Sequence, residues 1–587
     1  MTAVEAPTGT REEEHSRPDF ERIVTTALLF ASAMLFVMFC VRVLGDGWTT
    51  HFPKVYPDSY SFTTVANRGP LHPSFFWDER AIGYPLFLWV TGRSTALNAL
   101  GLTLIYCAAY ATLVVACLKA FTHRVAQAVA IFLILLTAVQ LRFAQWSVQV
   151  LSETLALSTG VFMVAAWLVF VATPTTRRLK IAFAATVVWM LVRDAHVLPT
   201  ALVLVPIVLV AGLLPTTPRQ FRRLLLIGTA VLLGTCGYVY FSQSHSNRNI
   251  TSFYDAVGGR ILPDADLTKF FVDGGMPMND ALRSRTNHVA WDDGPQSFLD
   301  NPDLAEFRQW ARTEGNRRLL MAMVVKSPHF LEVMGAEYPR VLNDDLTDYD
   351  SYHVSQRLPH RPLGDLSGPD SALSLRVWTF LALLGIAAAG SLGFGARRER
   401  KEVTAAIVGA AVFLGVLSEY HLRGTQRVCF VVAVLLAASA YFLSAQRDRS
   451  ASRVVLAAAF GLPLVGVFMP DNLRLLVMFG PPLLAAIFFV TARGRVEWRG
   501  LRFALFGIAG IVLAFTEVYI SYVGDSLEIS RHAIGAIHRL AIMYPLCIAI
   551  GIDAAVRIFS SPQIVDEEVE GDQAEEPEPE PLLEEAP

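Results

Sequence analysis

Three of the four carboxylates in the polar stretch between the first two apolar runs lie well inside that stretch. Asp58 is flanked by Pro57 and Ser59, and Asp78 and Glu79 follow further along the same stretch. A carboxylate within hydrogen-bond reach of a hydroxyl can accept its proton as a general base. These three acids are therefore candidate catalytic groups, although each could also be a solvated loop acid or a helix cap.

A second set of charged and histidine side chains lies near the ends of later apolar runs. Ionisable groups at membrane depth are costly and tend to face cavities or the interior of a helix bundle. Arginine and histidine can stabilise an anionic phosphate, and arginine can do so through two parallel hydrogen bonds. The alternative role for such residues is packing between helices or snorkelling to lipid head groups. The candidates for substrate binding are Glu153, Arg193, His196, His421, Arg423, Arg427, His532 and Arg539.

Metal and cofactor chemistry is not expected from this sequence. The six cysteines all fall inside apolar runs, and no two of them have the spacing of metal ligands. No dense acidic cluster is present that would demand a divalent cation, and no Gly-x-x-x-x-Gly-Lys-Ser/Thr motif for a nucleotide occurs. The prediction is a chain without a metal site, a cofactor or a disulfide framework.

The composition indicates a membrane protein. The 587 residues are 53% hydrophobic and 17% charged, with a mean hydropathy of +0.43. This composition argues against a large soluble enzyme, a disordered chain or a nucleic-acid binder. Apolar runs of about 20 residues can cross a bilayer as helices, and we count about fourteen. The predicted fold is therefore all-α and polytopic. The runs are 23–44, 97–118, 126–141, 151–173, 181–193, 197–214, 224–242, 375–395, 403–418, 428–445, 454–469, 473–491, 502–522 and 538–557.

The distribution of charge predicts how the chain is oriented. Arginine and lysine are concentrated in alternate short loops, as at 177–180, 219–223 and 397–401, which favours a cytoplasmic N-terminus. An even number of spans places the C-terminus in the cytoplasm as well. All of the 13 histidines except His15 and His123 then lie on the outer side, which indicates an extracytoplasmic working face.

The polar segments divide the chain into five parts. The acidic, proline-rich C-terminal end is typical of disorder. An apolar stripe of helical spacing, containing Leu304, Phe307, Trp310 and Ala311, predicts that the long middle segment is a helical insertion. The predicted parts are a disordered cytoplasmic N-terminus (1–22), an N-terminal transmembrane module (23–243), an extracytoplasmic insertion (244–374), a C-terminal transmembrane module (375–560) and a disordered acidic cytoplasmic tail (561–587).

Several short motifs, taken in order, resemble the GT-C membrane glycosyltransferases, the class that includes protein O-mannosyltransferase-like enzymes. Asp58 follows the first apolar run, and a Gly-Tyr-Pro-Leu-Phe-Leu run then re-enters the membrane. A later run opens with Leu-Ser-Glu at Glu153, and another ends in Val-Arg-Asp-Ala-His from Val192. The late segment beginning at Gly524, GDSLEISRHAIGAIHRLAIMYPL, also resembles bacterial members. Many members have paired acids in the first loop, whereas Asp58 has no acidic neighbour.

This resemblance implies a GT-C-like fold and a particular reaction. The donor would be a polyprenyl-phosphate sugar, and the acceptor a cell-envelope glycan, lipid or protein at the outer face of a bacterial plasma membrane. Asp58 would be the general base, with Asp78 and Glu79 as the next candidates. The arginines and histidines would stabilise the departing phosphate in a single inverting displacement. Asp58, Glu153 and Arg193 are then expected to line one cavity.

Two other classes of function remain open on the sequence. A transporter or flippase of lipid-linked glycans would place ionisable residues near the bilayer midplane, often within related repeats. The middles of the spans are nearly free of such residues, and no inverted repeat is evident. A non-catalytic protein of envelope assembly is the third possibility. Membrane lipids are expected partners in every case, nucleic acid is not, and the sequence does not indicate an oligomeric state.

Overall fold

A computed structural model of the chain is all-helical over the residues that it describes. These residues are 18–49, 55–78, 80–213, 217–244, 248–290, 297–334, 382, 385–386, 498–524 and 529–560, and no β-strand occurs among them. The first helix begins at Pro18, inside the region predicted to be disordered. Proline is well suited to the first helical position, and acidic residues such as Asp19 and Glu21 favour a helix N-terminus, which explains the earlier start.

Besides residues 327–334, which are helical as far as they are described, fourteen helices of eight or more residues form the described architecture. They are α1 (Pro18–Thr49), α2 (Pro57–Arg68), α3 (Gly83–Val90), α4 (Thr95–Ala120), α5 (Arg124–Ala138), α6 (Glu153–Ala172), α7 (Thr176–Val192), α8 (Val205–Leu213), α9 (Arg219–Ser244), α10 (Arg248–Ala256), α11 (Ala265–Val272), α12 (Asn316–Val325), α13 (Trp498–Gly524) and α14 (Ile529–Ser560). Shorter turns of helix join them, including a 3₁₀ turn at Asp194–His196 and π turns at Thr200–Leu204, Val257–Ile261 and Ala311–Gly315.

Among the described residues, seven helical segments are long and apolar enough to cross a membrane, so the chain is a multi-pass membrane protein. They are Ile23–Gly45, Thr95–Ala120, Glu153–Ala172, Asp194–Leu213, Arg219–Gln243, Arg502–Gly524 and Arg531–Ala554. Each overlaps a predicted span. Two further predicted spans, 126–141 and 181–193, correspond to the shorter helices α5 and α7.

The predicted count of fourteen spans is not reached among the described residues. The predicted spans 403–418, 428–445, 454–469 and 473–491 lie outside them, and 375–395 is described only at three positions. The count of fourteen, and the GT-C-like arrangement of the spans, therefore stay predictions.

The bundle is organised around the last helix. Helix α14 contacts α13, α5 and α6, while α6 also packs along α4 and α7. Within the span Arg531–Ala554, 94% of the most apolar window is buried in protein. Polar side chains on this helix consequently face other helices, where each needs a partner because water is excluded.

The segment predicted as an insertion is described from 248 to 334 apart from 291–296, and it consists of short helices joined by turns. Leu304, Phe307 and Ala311 are buried, as the apolar stripe in the sequence indicates. The segment packs against α13 of the membrane body. The Tyr519 hydroxyl donates to the carbonyl of Met323 (2.6 Å), and Arg260 lies over the ring of Tyr522 at 3.8 Å while donating to its hydroxyl (2.8 Å).

Candidate functional site

Five separate segments of the chain bring charged side chains to one place at the ends of the spans. Asp58 lies in the first turn of α2, and Glu153 is the first residue of α6. Arg193 directly follows α7, and Arg531 begins the last span. Arg80 comes from the loop between α2 and α3. The site is therefore assembled from residues far apart in sequence and depends on the packing of the whole bundle.

Helix α2 is held against the segment that leads into α6. The hydroxyl of Ser59 donates to the carbonyl of Val150 at 2.6 Å, and both atoms are buried. The same hydroxyl accepts a hydrogen bond from the backbone N–H of Tyr56 (3.0 Å), which fixes the start of α2. These bonds set the position of Asp58 relative to Glu153.

The carboxylate of Asp58 is held by two arginines. Its Oδ1 accepts from Nη2 of Arg80 (2.6 Å), and its Oδ2 accepts from Nη2 of Arg531 (2.5 Å). Arg80 is itself fixed, because Nε donates to Ser61 Oγ (2.6 Å) and the guanidinium lies 4.5 Å from the ring centre of Phe62. Burial raises the pKa of Asp58, but the two guanidinium charges outweigh it and hold the pKa well below its usual range. Asp58 is therefore ionised at neutral pH, and its ion pairs are lost only in strong acid.

Glu153 lies beside the same arginine but is held less tightly. Its Oε1 is 3.6 Å from Nε of Arg531 and 3.7 Å from Nη2 of Arg193. Both distances allow electrostatic attraction and exceed that of a good hydrogen bond. Arg531 thus lies between Asp58 and Glu153, and Arg193 is the second arginine beside Glu153.

One pocket contains all these groups. Its cavity volume is about 20 Å³, which is room for roughly one water molecule. The ion pairs thus leave little free space between the charged side chains. The ionisable side chains that line it are the carboxylates of Asp58, Glu153 and Asp194 and the guanidinium groups of Arg80, Arg193 and Arg531.

A glycine brings α3 close to the wall of this pocket. A Cβ atom on Gly83 would lie 2.8 Å from both the carbonyl oxygen of Leu191 and the Cα of Val192, immediately before Arg193. We expect Gly83→Ala to shift this backbone and to lower the catalytic rate about 10- to 100-fold, since misplacement of about 1 Å can have that effect. The measurement is the initial rate of the transfer proposed below. Gly234→Ala, where a Cβ meets nothing within 4 Å, is the control; equal rates for the two variants would contradict the expectation.

Two of the predicted site residues, His196 and Arg539, lie in a second cluster inside the bundle. Arg539 forms an ion pair with Glu517, and its guanidinium lies 4.6 Å from the ring centre of Trp189. The ring of His196 stacks on Trp189 at 4.1 Å, and its Nε2 is 3.8 Å from Oε1 of Glu517. All four side chains are buried.

This inner cluster is separate from the pocket. Arg539 follows Arg531 by about two turns of α14, a rise of roughly 12 Å along the helix. Neither His196 nor Arg539 lines the pocket. The polar groups of the inner cluster instead connect α7, α13 and α14 within the protein interior.

The Glu517–Arg539 pair is expected to be important for stability. Glu517→Gln would leave the buried guanidinium of Arg539 without its counter-charge, which should destabilise the fold by about 3–5 kcal/mol. The measurement is the midpoint of thermal unfolding in detergent. Glu314→Gln is the matched control, because Glu314 pairs with Arg317 on the exposed surface, where such changes have small effects. Equal midpoints for both variants would show that the inner pair does not stabilise the bundle.

The remaining predicted residues divide into two groups. Asp78 pairs with Arg68 on a partly exposed surface and does not line the pocket. His532 adjoins Arg531, with Nε2 3.4 Å from Nη2 of the arginine, and also stays outside the pocket lining. Four predicted residues lie outside the described part of the chain, namely Glu79, His421, Arg423 and Arg427.

Several residues of the two clusters were not selected from the sequence. Glu517 is the single acid of an apolar span, and that isolation is a usable signal for a functional or structural role. Arg531 directly precedes His532, which the sequence does single out, but the sequence does not show which of the two lines the pocket. Arg80 and Asp194 carry no such signal, because their positions depend on contacts with distant segments.

No metal-binding arrangement is evident in the described ranges: they contain no group of three or more His, Cys, Asp or Glu side chains placed to hold an ion. The arrangement in the pocket is instead one of guanidinium groups and carboxylates. Such a set can bind an anion and accept a proton.

Comparison with known proteins gives one match. Residues 100–294 match the family model described as the YfdI N-terminal transmembrane domain. No curated protein and no solved structure matches the chain. The matched region contains Glu153 and Arg193 and extends into the segment predicted as an insertion. The chain is therefore a multi-pass membrane protein in which residues 100–294 are similar to the N-terminal transmembrane domain of YfdI, a glycosyltransferase-like membrane family.

Proposed function

We propose that this protein is a membrane glycosyltransferase that uses a polyprenyl-phosphate sugar as donor. The observation that carries the proposal is the convergence of Asp58, Glu153, Arg193 and Arg531 on one pocket at the ends of membrane spans. A lipid-linked donor has an apolar tail for the bilayer and a phosphate for the interface. The match of residues 100–294 to a domain of the glycosyltransferase-like YfdI family supports the same class of activity.

Arg193 and Arg531 are the proposed ligands of the donor phosphate. Both guanidinium groups line the pocket, and their side chains are only 10% and 5% exposed, so little water screens their charge. Guanidinium groups contact phosphate oxygens in bidentate geometry and remain charged at all accessible pH values. They would bind the donor and then stabilise the additional negative charge on polyprenyl phosphate as it leaves.

Asp58 is the proposed general base. In the donor-free state both of its oxygens are occupied by arginines, which makes it a weak base. A donor phosphate would compete with Asp58 for Arg531, free Oδ2 and raise the pKa of the carboxyl. Asp78 and Glu79 stay secondary candidates for this role.

The reaction would be a single inverting displacement. The acceptor oxygen attacks the anomeric carbon while its proton passes to Asp58. The bond between the anomeric carbon and the phosphate oxygen breaks, and the electron pair leaves with polyprenyl phosphate. The acceptor would be a cell-envelope glycan, lipid or protein at the extracytoplasmic face of a bacterial plasma membrane, as the charge pattern of the loops suggests.

The test is transfer by the purified full-length protein in detergent. Radiolabelled undecaprenyl-phosphate glucose, galactose and mannose would be incubated with envelope extract, and both polyprenyl phosphate and glycosylated product would be measured. We expect stoichiometric release and transfer from at least one donor. If the protein instead only moves intact donor across the bilayer of proteoliposomes, the flippase alternative would replace this proposal.

A further inference from the structure

One oxygen of Glu153 has no hydrogen-bond partner among the described residues. Oε2 is buried, and the side chain as a whole is only 3% exposed, yet the residue lines the pocket. A buried carboxylate oxygen without a partner carries a desolvation cost and is uncommon in folded proteins. The missing partner is therefore expected to be a group that enters the pocket.

The surroundings of Glu153 determine what kind of group this is. Two guanidinium groups lie 3.6 and 3.7 Å from Oε1, and Glu153 is the first residue of α6, so positive charge surrounds its carboxylate. An ionised carboxylate only accepts hydrogen bonds. A phosphate oxygen also only accepts, and its negative charge would be repelled. The partner must donate, and it must be small enough for a cavity of about 20 Å³.

The contrast with Asp58 separates the two acids of the pocket. Arginine hydrogen bonds of 2.6 and 2.5 Å occupy both oxygens of Asp58. Neither arginine near Glu153 approaches within hydrogen-bond distance of Oε1. Glu153 thus has an oxygen without a hydrogen-bond partner among the described residues, whereas each oxygen of Asp58 already accepts a hydrogen bond from an arginine.

We propose that Glu153 is a specificity-determining residue whose Oε2 accepts a hydrogen bond from a sugar hydroxyl. This inference rests on the proposed function and deepens it, because it assigns the recognition of the sugar to Glu153 and that of the phosphate to the arginines. The hydroxyl belongs either to the sugar of the donor or to the acceptor. A site built around a hydroxyl discriminates strongly against ligands that lack it, since the carboxylate is then left buried and unpartnered.

Binding of two kinds of lipid, with and without a sugar, to the full-length protein in nanodiscs tests the inference. The probes are undecaprenyl phosphate and the undecaprenyl-phosphate sugars, among them the glucose, galactose and mannose forms, and the variant is Glu153→Gln. For a donor hydroxyl, we expect the affinity for the sugar-bearing lipid to fall about 10- to 100-fold, the range for a charge-assisted hydrogen bond. The affinity for undecaprenyl phosphate should stay the same or rise, because the substitution removes a negative charge beside Arg193 and Arg531.

The variants and controls keep the outcomes distinct. Glu314→Gln, on the exposed surface, should bind both lipids as the wild type does. Glu153→Asp keeps the charge but has a side chain shorter by one methylene group. Its affinity for the sugar-bearing lipid should lie between those of the wild type and Glu153→Gln. Thermal unfolding of each variant shows whether it is folded before binding is measured.

Each result supports or overturns the inference. If Glu153→Gln leaves the affinity for both kinds of lipid unchanged and raises the KM for the acceptor about 10- to 100-fold, the hydroxyl belongs to the acceptor. An equal loss of affinity for both kinds of lipid would show that Glu153 merely positions the arginines, and would overturn the inference. Unchanged affinities for both kinds of lipid together with an unchanged KM for the acceptor would overturn it as well. Wild-type protein that binds neither lipid would overturn the proposed function itself.

Discussion

Asp58→Asn is expected to lower the rate of sugar transfer about 100- to 10,000-fold, the range for loss of a general base. Asparagine has nearly the same shape but cannot accept the proton of the acceptor hydroxyl. The affinity for the donor should not fall, because an amide competes less well than a carboxylate for Arg531. The measurement is the initial rate and the donor KM of purified variants under the conditions in which the wild type is active.

The same substitution at Asp78 provides the comparison within the first polar stretch. Asp78 pairs with Arg68 outside the pocket, so Asp78→Asn should retain most of the wild-type rate. A slow Asp78→Asn variant beside a fully active Asp58→Asn variant would transfer the role of base to Asp78. Equal losses in both variants would indicate that the first stretch acts through its fold, and not through one carboxylate.

Arg531→Lys should have the second large effect. Arg531 contacts Asp58 at 2.5 Å and Glu153 at 3.6 Å, and a lysine ammonium cannot reproduce this bridging geometry. We expect kcat/KM for the donor to fall about 100- to 1,000-fold, as for removal of one preorganised donor to a developing charge. Lysine keeps a positive charge beside Asp58 and Glu153, and Arg80 and Arg193 still neighbour these two carboxylates, so the variant should fold.

The matched control for this change is Arg317→Lys. Arg317 pairs with Glu314 on the exposed surface, where exchange of one cation for another has little effect. Binding of undecaprenyl phosphate gives an independent measurement, and Arg531→Lys should weaken it. Wild-type binding and turnover in Arg531→Lys would remove Arg531 from the phosphate site.

Much of the fold follows from apolar length alone. The predicted runs 97–118 and 151–173 correspond to Thr95–Ala120 and Glu153–Ala172, because a helix is the simplest structure that satisfies its own backbone in hydrocarbon. The predicted first run begins at 23, later than the helix itself, which begins at Pro18, because the first turn of the helix is polar. Hydropathy reports which residues can enter a membrane, and it does not report where the helix itself begins.

Part of the site was also accessible from the sequence. Asp58, Glu153 and Arg193 were selected from the order of short motifs, and the structure brings all three to one pocket. The sequence also predicts His196 as a substrate-binding residue of the same site. It turns away through the Asp194–His196 turn and stacks on Trp189 in the interior. Neighbours in sequence can thus face different environments when a helix ends between them.

The two arginines that hold Asp58 could not be identified from a single sequence. Arg80 and Arg531 contact one carboxylate from opposite ends of the chain. Hydrophobic periodicity determines which face of a helix is buried, but not which distant helix covers it. Pairing of Glu517 with Arg539 is of the same kind, since it depends on the packing of α13 along α14.

The place where a lipid phosphate binds is the most direct test of the account. A cryo-EM structure of the full-length protein in nanodiscs with undecaprenyl phosphate would locate it. The account predicts the phosphate within hydrogen-bond distance of Arg193 and Arg531, with Asp58 separated from Arg531. Phosphate bound elsewhere, while the Asp58–Arg531 pair stays intact, would contradict the proposal that this pocket transfers sugar from a lipid-linked donor.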